Sequence, residues 1–83
     1  MHPLAFLEVY MIRVMVNGAG GKMGREVVKA VHNDPDLTLV GGIDPTKAGE
    51  DVGSVAGIEQ LGIKMNASID EVLDINKPDV IVD

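Results

Sequence analysis

The sequence has no cysteine, no long apolar run and only two aromatic residues. Without cysteine, the chain can form neither a disulfide framework nor a thiolate metal site. No hydrophobic stretch approaches the roughly 20 residues of a membrane-spanning helix, and residues 1–10 lack the basic start and long apolar stretch of a signal peptide. These absences predict a cytoplasmic protein without a membrane partner. One Phe, one Tyr and no Trp also predict an aliphatic core.

Basic residues are scarce as well. Seven Lys and Arg stand against thirteen Asp and Glu, and the formal net charge of −6 argues against a nucleic-acid partner, because binding to phosphates depends on cationic side chains. The acids Asp34, Asp36, Glu50 and Asp51 fall in predicted turns without metal-ligand spacing, so we predict no metal site. No Ser/His/Asp or paired-carboxylate arrangement stands out, and we assign no catalytic residue. We interpret His32, near the end of a predicted helix, as a surface histidine.

What the sequence does contain is an alternation of apolar strands and amphipathic helices. Its 83 residues, 46% of them hydrophobic, suffice for one globular domain of marginal stability. The pattern predicts strands at 12–17, 37–43, 63–65 and 79–82, helices at 22–32 and from 68 to about 76, and a short helical turn near 52–56. This β-α-β-(β)-α-β order predicts an α/β fold, a partial Rossmann-like parallel sheet flanked by helices, with the last strand beside the first.

Several local expectations accompany this order. The buried face of the first helix is predicted to consist of Met23, Val27, Ala30 and Val31. Ser68 and Glu71 form a capping-box pattern, and the helix that follows is predicted to bury Ile69, Val72 and Leu73. In the second strand, Gly41 and Gly42 indicate a close approach of a backbone or a ligand.

The chain divides into two parts of unequal character. Residues 1–10 are interpreted as a leader or an added extension, with Met11 as an alternative start; the other interpretation is that 4–10 pairs as an extra strand. Residues 11–83 are predicted to be an incomplete NAD(P)-binding Rossmann domain, since such domains have more strands than this length can hold.

The glycine-rich run Gly18-Ala-Gly-Gly-Lys-Met-Gly24 follows the first strand and opens the first helix. Glycines remove side chains where a phosphate must approach the backbone, and a helix N-terminus presents free N–H groups with partial positive charge. We expect Gly18 to permit a tight turn, Gly20 and Gly21 to leave room for phosphate oxygens, and Gly24 to allow close packing of helix and sheet. The alternative is a turn whose glycines serve packing alone. Lys22 and Arg25 flank the run, either near phosphate or as solvated charge.

Asp44 ends the second strand, 20 residues after Gly24. An acid at this spacing typically accepts hydrogen bonds from the adenine-ribose hydroxyls of a dinucleotide. Its charge would repel a 2′-phosphate, which favours NAD over NADP, although Lys47 is close enough in sequence to neutralise one. The alternative is a turn residue before Pro45.

The run 12–25, together with Leu39-Val-Gly-Gly-Ile-Asp44, the Asp51-Val-Gly stretch and 77–83, resembles the opening of the dihydrodipicolinate reductase (4-hydroxy-tetrahydrodipicolinate reductase) family. The resemblance implies an NAD(P)H-dependent oxidoreductase of lysine and diaminopimelate biosynthesis, which transfers hydride to a cyclic dicarboxylate and forms homo-oligomers. It implies that the pyrophosphate is held by Gly18, Ala19, Gly20, Gly21, Lys22 and Met23, and the adenosine ribose by Asp44. We expect NAD(H) as the cofactor, with NADP(H) as the second choice, because Pro45 stands where some members of the family have an arginine.

The family's catalytic and tetramerisation regions follow the point that matches the end of this chain. We therefore expect an amino-terminal, cofactor-binding part that is inactive alone. Two alternatives remain: a non-catalytic NAD(H)-binding or sensing module, and a self-associating fragment that binds nothing. The apolar strand at 80–82 favours association, because an uncovered strand edge is a template for pairing with another chain.

Overall fold

The computed structural model describes residues 11–83, and both interpretations of residues 1–10, a leader or an extra strand, lie outside the described residues. The elements are β1 (Ile12–Asn17), α1 (Lys22–Asn33), β2 (Leu37–Ile43), a 3-10 turn (Pro45–Lys47), α2 (Val52–Val55), β3 (Met65–Asn66), a second 3-10 turn (Ile69–Glu71), α3 (Leu73–Asn76) and β4 (Val80–Val82). The first two strands have their predicted bounds. The third begins two residues later than predicted, and the fourth begins one residue later.

All four strands form one parallel sheet in the order β3-β2-β1-β4. β1 pairs with β2 along its whole length and with β4 through Val14 to Val16, with an irregularity in the β2 register after Val14. The sheet therefore grows in opposite directions from β1, and a crevice opens at the carboxyl ends of β1 and β4. The predicted α/β fold, a partial Rossmann-like sheet with the last strand beside the first, is confirmed.

Helical segments cover both faces of the sheet. Successive residues of a strand point to opposite faces, so Val16 packs with Val28 of α1 and with α2 on one side, whereas Met15 and Ile43 pack with Val72 on the other. Both aromatic residues precede residue 11, and the described core is aliphatic, as predicted.

The two glycines of β2 permit this double coverage. A Cβ on Gly42 would lie 2.9 Å from Val52 Cγ2 and 3.1 Å from Ala19 Cβ, and one on Gly41 would lie 3.1 Å from Asn76 Nδ2. Each glycine therefore marks a close approach by side chains of neighbouring segments, and not by the backbone that the sequence suggested.

The predicted buried face of α1 is partly wrong. Met23 is 75% exposed and Ala30 is also exposed, whereas Val28, which the prediction omitted, is fully buried. The buried stripe runs through Val28 and Val31, and Gly24 takes its first-turn position because the helix begins directly against the turn that precedes it. The buried stripe keeps the predicted helical period, but it begins one residue later, at Gly24 instead of Met23.

The predicted helix after Ser68 is also corrected. Ile69–Glu71 is a 3-10 turn, α3 begins only at Leu73, and the Ser68 side chain makes no capping bond. A 3-10 turn has three residues per turn instead of 3.6, which displaces the N–H that a capping box needs. Of the three residues predicted as buried, Val72 is buried, Ile69 is half-buried and Leu73 is exposed.

Arg13 ties β4 to β1. Its side chain donates to the carbonyl oxygens of Asn76 and Lys77, at the end of α3. Its backbone N–H donates to Asp79 Oδ2 at 2.9 Å, and its carbonyl accepts from the Asp79 N–H at 2.8 Å. The guanidinium satisfies carbonyls that a helix end leaves without partners. Arg13 thereby fixes the start of β4, and with it the position of the crevice.

Asp51 organises the connection between β2 and β3. Its carboxylate accepts from the N–H groups of Ser54 (2.9 Å), Leu61 (3.0 Å), Gly62 (2.8 Å) and Ile63 (3.2 Å). Partial burial alone would raise the pKa of Asp51, but these hydrogen bonds outweigh it and lower the pKa from 3.8 to about 2. One carboxylate thus caps α2 and holds the segment that leads into β3.

Within residues 11–83, no helix is long and apolar enough to cross a bilayer.

We expect acid to weaken the fold through Asp51. Because its folded pKa is below its unfolded value, its stabilising contribution is complete above about pH 4 and is lost as the pH falls towards about 2. Asp51→Asn should therefore lower the urea midpoint at about pH 7, and its difference from the unsubstituted chain should shrink between about pH 4 and about pH 2. The exposed Asp70→Asn is the control; an equal loss in both variants would contradict this role.

Candidate functional site

The connection between β1 and α1 is a tight turn, Gly18 to Gly21. The N–H groups of Gly18 and Ala19 both donate to the carbonyl oxygen of Ile43, at 2.7 and 3.0 Å, which joins the turn to the end of β2. Gly18 has a φ of +76°, in the left-handed region that favours glycine. The Gly21 N–H donates back to the Gly18 carbonyl at 3.0 Å. The backbone of the protein itself therefore fixes the shape of the turn.

The N-terminus of α1 carries no cap of its own. Gly21 is the N-cap residue, so no side chain bonds the first turn, and the first turn contains no acidic residue. The first i→i−4 bond runs from the Arg25 N–H to the Gly21 carbonyl at 2.9 Å. In the described part of the chain, the N–H groups of Lys22, Met23 and Gly24 have no backbone or side-chain acceptor. Three donors and the positive end of the helix dipole thus face outward together, which suits an anion.

Gly24 brings this helix end onto the turn. A Cβ on Gly24 would lie 1.9 Å from the Gly18 carbonyl oxygen and 2.9 Å from Ala19 Cα. Because both are backbone atoms, no side-chain rotation could relieve the clash. Only glycine therefore permits the observed approach of α1 to the turn.

A crevice of about 490 Å³ opens beside the turn, at the carboxyl ends of β1 and β4. Its walls come from the turn, the first two turns of α1, and the ends of both strands; they include Val16, Gly21, Met23, Val27 and Val82. Where the walls meet, Asn17 Nδ2 donates to Asp83 Oδ1 at 2.8 Å. Crevices at this position of open α/β sheets are the usual ligand sites of such folds.

Asp44 lies at the end of β2, beside the same turn. Its Oδ1 accepts from the N–H of Thr46 at 2.9 Å and from the Thr46 hydroxyl at 2.8 Å. The Thr46 side chain and N–H, with smaller contributions from the Gly20 backbone and the Lys47 charge, outweigh partial burial and lower the pKa of Asp44. Asp44 is therefore a fixed anion at neutral pH. It is also the N-cap of the 3-10 turn, so its turn role and a ligand role are compatible.

Gly20 faces this carboxylate directly. A Cβ on Gly20 would lie 2.4 Å from Asp44 Oδ2 and 2.7 Å from Lys47 Cγ. The glycine turn and Asp44, 24 residues apart in sequence, therefore form one surface. In contrast, a Cβ on Gly21 would lie 3.4 Å from the Gly18 carbonyl oxygen, a tolerable distance.

The remaining polar candidates lie around this surface or away from it. Lys22 and Arg25 are exposed beside the turn, and Arg25 Nε makes a long bond of 3.4 Å to the Gly21 carbonyl. His32 lies at the opposite end of α1, where its Nε2 is 3.1 Å from Glu59 Oε1. Residues 11–83 contain no group of three or more His, Cys, Asp or Glu side chains that could hold a metal ion.

Two residues of this region escaped the sequence analysis. Thr46 had a weak signal, since Asp44-Pro45-Thr46 is typical of an Asx turn in which the acid accepts from the backbone two residues later. For Asn17, the sequence contained no signal beyond the position of this residue at the end of a predicted strand. Its partner lies at the end of another strand, and only the sheet order brings the two together.

Comparisons with known proteins agree on one family. A family model described as dihydrodipicolinate reductase, N-terminus, matches residues 12–83. Curated relatives named 4-hydroxy-tetrahydrodipicolinate reductase include those of Synechocystis sp. (52% identical over 76% of this chain and 24% of the relative) and Syntrophomonas wolfei (45% over 86% and 27%). Another, from Nostoc sp., is 47% identical over 87% of this chain and 29% of the relative. The chain spans about a quarter of the length of these relatives.

Two glycine substitutions test how closely α1 approaches the turn. Gly24→Ala meets backbone atoms, so we expect it to remove about 3 kcal/mol or more from the free energy of unfolding, most of what a core of this size supplies. Gly21→Ala, at the same helix end, should cost less than about 1 kcal/mol. Urea unfolding followed by circular dichroism measures both. A Gly24→Ala variant as stable as Gly21→Ala would show that α1 does not approach the turn this closely.

Proposed function

The chain belongs to the dihydrodipicolinate reductase N-terminal family, and from this premise we propose that it binds a nicotinamide dinucleotide across the glycine turn and the crevice beside it. The observation that carries the proposal is the group of three N–H donors at the uncapped start of α1. A pyrophosphate offers anionic oxygens of the kind that such a helix end binds.

The residues of the turn fit this ligand in different ways. The N–H groups of Gly18 and Ala19 donate to the Ile43 carbonyl, so these residues would shape the site without donating to the ligand. Gly20 and Gly21 would leave the approach free of side chains, and Lys22 and Met23, with Gly24, would supply the donors. Of the residues predicted to hold the pyrophosphate, some would therefore shape the site and others would donate hydrogen bonds to the ligand.

The adenosine ribose is assigned to Asp44. Its carboxylate is anionic, held by Thr46, and lies on the same surface as Gly20. A carboxylate accepts hydrogen bonds from ribose hydroxyls and repels a 2′-phosphate. We therefore expect a preference for NAD(H), tempered by the ammonium group of Lys47, which lowers the repulsion of a 2′-phosphate.

The nicotinamide half is assigned to the crevice between β1 and β4, with Val16, Val27 and Val82 among its apolar walls. When bound, the dinucleotide would supply hydride for the reduction that the relatives' name describes. We propose that the chain serves as the cofactor-binding part of a 4-hydroxy-tetrahydrodipicolinate reductase in lysine and diaminopimelate biosynthesis. Since it spans about a quarter of its relatives, we expect it to bind dinucleotide without catalysing turnover alone. The cytoplasmic location expected from the sequence stays a prediction.

Calorimetric titration of the chain with NADH, NADPH and ADP-ribose tests this function. We expect similar affinities for NADH and ADP-ribose, which would show that the adenosine and pyrophosphate half dominates binding. Asp44→Asn should weaken NADH binding about tenfold, the value of a hydrogen bond to a charged group, and should weaken NADPH binding less.

Asp36→Asn is the matched control for this titration, because it removes the same charge in the turn before β2 and away from the glycine turn. It should leave all three affinities unchanged. An equal loss of NADH and NADPH binding in Asp44→Asn would contradict the ribose assignment. No binding of any of the three ligands by the unsubstituted, folded chain would contradict the proposed function.

Self-association is a second proposal, supported by β4. Val80 and Ile81 point to opposite faces of the sheet, yet they remain 46% and 39% exposed. β4 pairs with β1 and ends the described sheet, and an edge strand with apolar side chains favours pairing with another chain. We expect sedimentation velocity to show dimers or larger species that Ile81→Lys converts to monomers. A monomeric unsubstituted chain would contradict this proposal.

A further inference from the structure

We propose that Thr46 is a positioning residue, whose hydroxyl holds the Asp44 carboxylate in the orientation that distinguishes a free ribose 2′-hydroxyl from a phosphorylated one. This inference rests on the dinucleotide site proposed above. It assigns to Thr46 a part in cofactor choice that it exerts through Asp44 and without contact of its own with the cofactor.

The two oxygens of Asp44 have different surroundings. Oδ1 receives both donors of Thr46, the N–H at 2.9 Å and the hydroxyl at 2.8 Å. Oδ2 faces the glycine turn, since a Cβ on Gly20 would come within 2.4 Å of it. With Oδ1 engaged twice, the carboxylate plane is fixed. Oδ2 lies beside the Gly20 backbone, and its second lone pair remains to accept from a ligand lying along the turn.

Two features of the chain hold Thr46 in place. Asp44 is the N-cap of the 3-10 turn 45–47, and Pro45 occupies its first position with a φ already suited to it. The Thr46 backbone donor is therefore present whatever the side chain, and only the hydroxyl depends on the identity of residue 46. Thr46 is exposed, and exchanging its hydroxyl for a methyl group leaves Asp44 Oδ1 with its other donor, the Thr46 N–H, so the exchange leaves no buried acceptor without a partner.

Among residues 11–83, few charges lie around Asp44. Lys47 faces it from the same 3-10 turn, and from the glycine turn it meets the uncharged backbone of Gly20. The Thr46 hydroxyl is the strongest of the contacts that keep the carboxylate ionised. Removing that hydroxyl should therefore raise the pKa of Asp44 and let the carboxylate rotate, and both changes weaken its hold on a ribose hydroxyl.

The experiment compares Thr46→Val, which keeps the β-branched shape, with Thr46→Ser, which keeps the hydroxyl. First, the carboxyl carbon resonance of Asp44 is titrated in the ligand-free chain. We expect Thr46→Val to raise the midpoint of this titration and Thr46→Ser to restore it. Second, NADH and NADPH affinities are measured over the acidic range. Thr46→Val should bind NADH about three- to tenfold more weakly, since an exposed bond is worth less than a buried one.

A specific pattern is expected in the second measurement. In Thr46→Val, the pH at which NADH affinity falls should move upward, NADPH affinity should change less, and Thr46→Ser should return both to the unsubstituted values. A purely structural role of Thr46 would weaken both cofactors equally without moving the pH profile, and that result would overturn the inference.

Two further outcomes distinguish a failure of the positioning role from a failure of the proposed function. An unchanged Asp44 titration in Thr46→Val would overturn the positioning role even if the chain binds NADH as proposed. A shifted titration in a chain that binds neither dinucleotide would overturn the proposed function, and the part of Thr46 in cofactor choice with it, while the hydrogen bond itself would stand.

Discussion

The contact between Gly24 and the carbonyl oxygen of Gly18 sets the geometry of the rest of the site. With no Cβ at position 24, the first turn of α1 lies directly against the turn that follows β1. The helix start is therefore held at the mouth of the crevice, and its N–H groups open onto it. A side chain at this position would push the helix away by more than an ångström, and the donors would no longer lie over the carboxyl ends of the strands.

The features that could be predicted best from the sequence are those that depend on residues close together in the chain. The first two strands and the position of Asp44 followed from apolar runs and from a spacing that parallel βαβ units impose. The buried face of α1 could not be predicted in this way. Met23 and Gly24 are both at helical spacing from buried residues of α1, and only the contact of Gly24 with the turn decides which of the two faces the core. The capping box at Ser68 failed because the segment after it forms a 3-10 turn. The pairing of Thr46 with Asp44 required three-dimensional geometry that a turn signal alone does not supply.

Polar side chains hold the parts of this small domain that regular structure does not. Arg13 joins β1 to the end of α3 and the start of β4, and Asp51 gathers four backbone N–H groups from a segment with little secondary structure. Charged groups make stronger hydrogen bonds than neutral ones. An aliphatic core of this size leaves little free energy in reserve, so each of these bonds carries a larger share of the stability than it would in a larger domain.

Gly21 differs from the other glycines of the run, because no contact within the described residues excludes a side chain there. Gly18 is explained by its positive φ and Gly24 by the Gly18 carbonyl, and a Cβ on Gly20 would displace the Asp44 and Lys47 side chains. Gly21 has an ordinary φ of −78° and room for a side chain, and it is the N-cap of α1. Ser, Thr, Asp or Asn there would stabilise the helix by roughly a few tenths of a kcal/mol. Such a side chain would also occupy the N–H groups that an anion needs. Glycine at this position therefore leaves the donors free at a cost in stability, which packing alone does not explain.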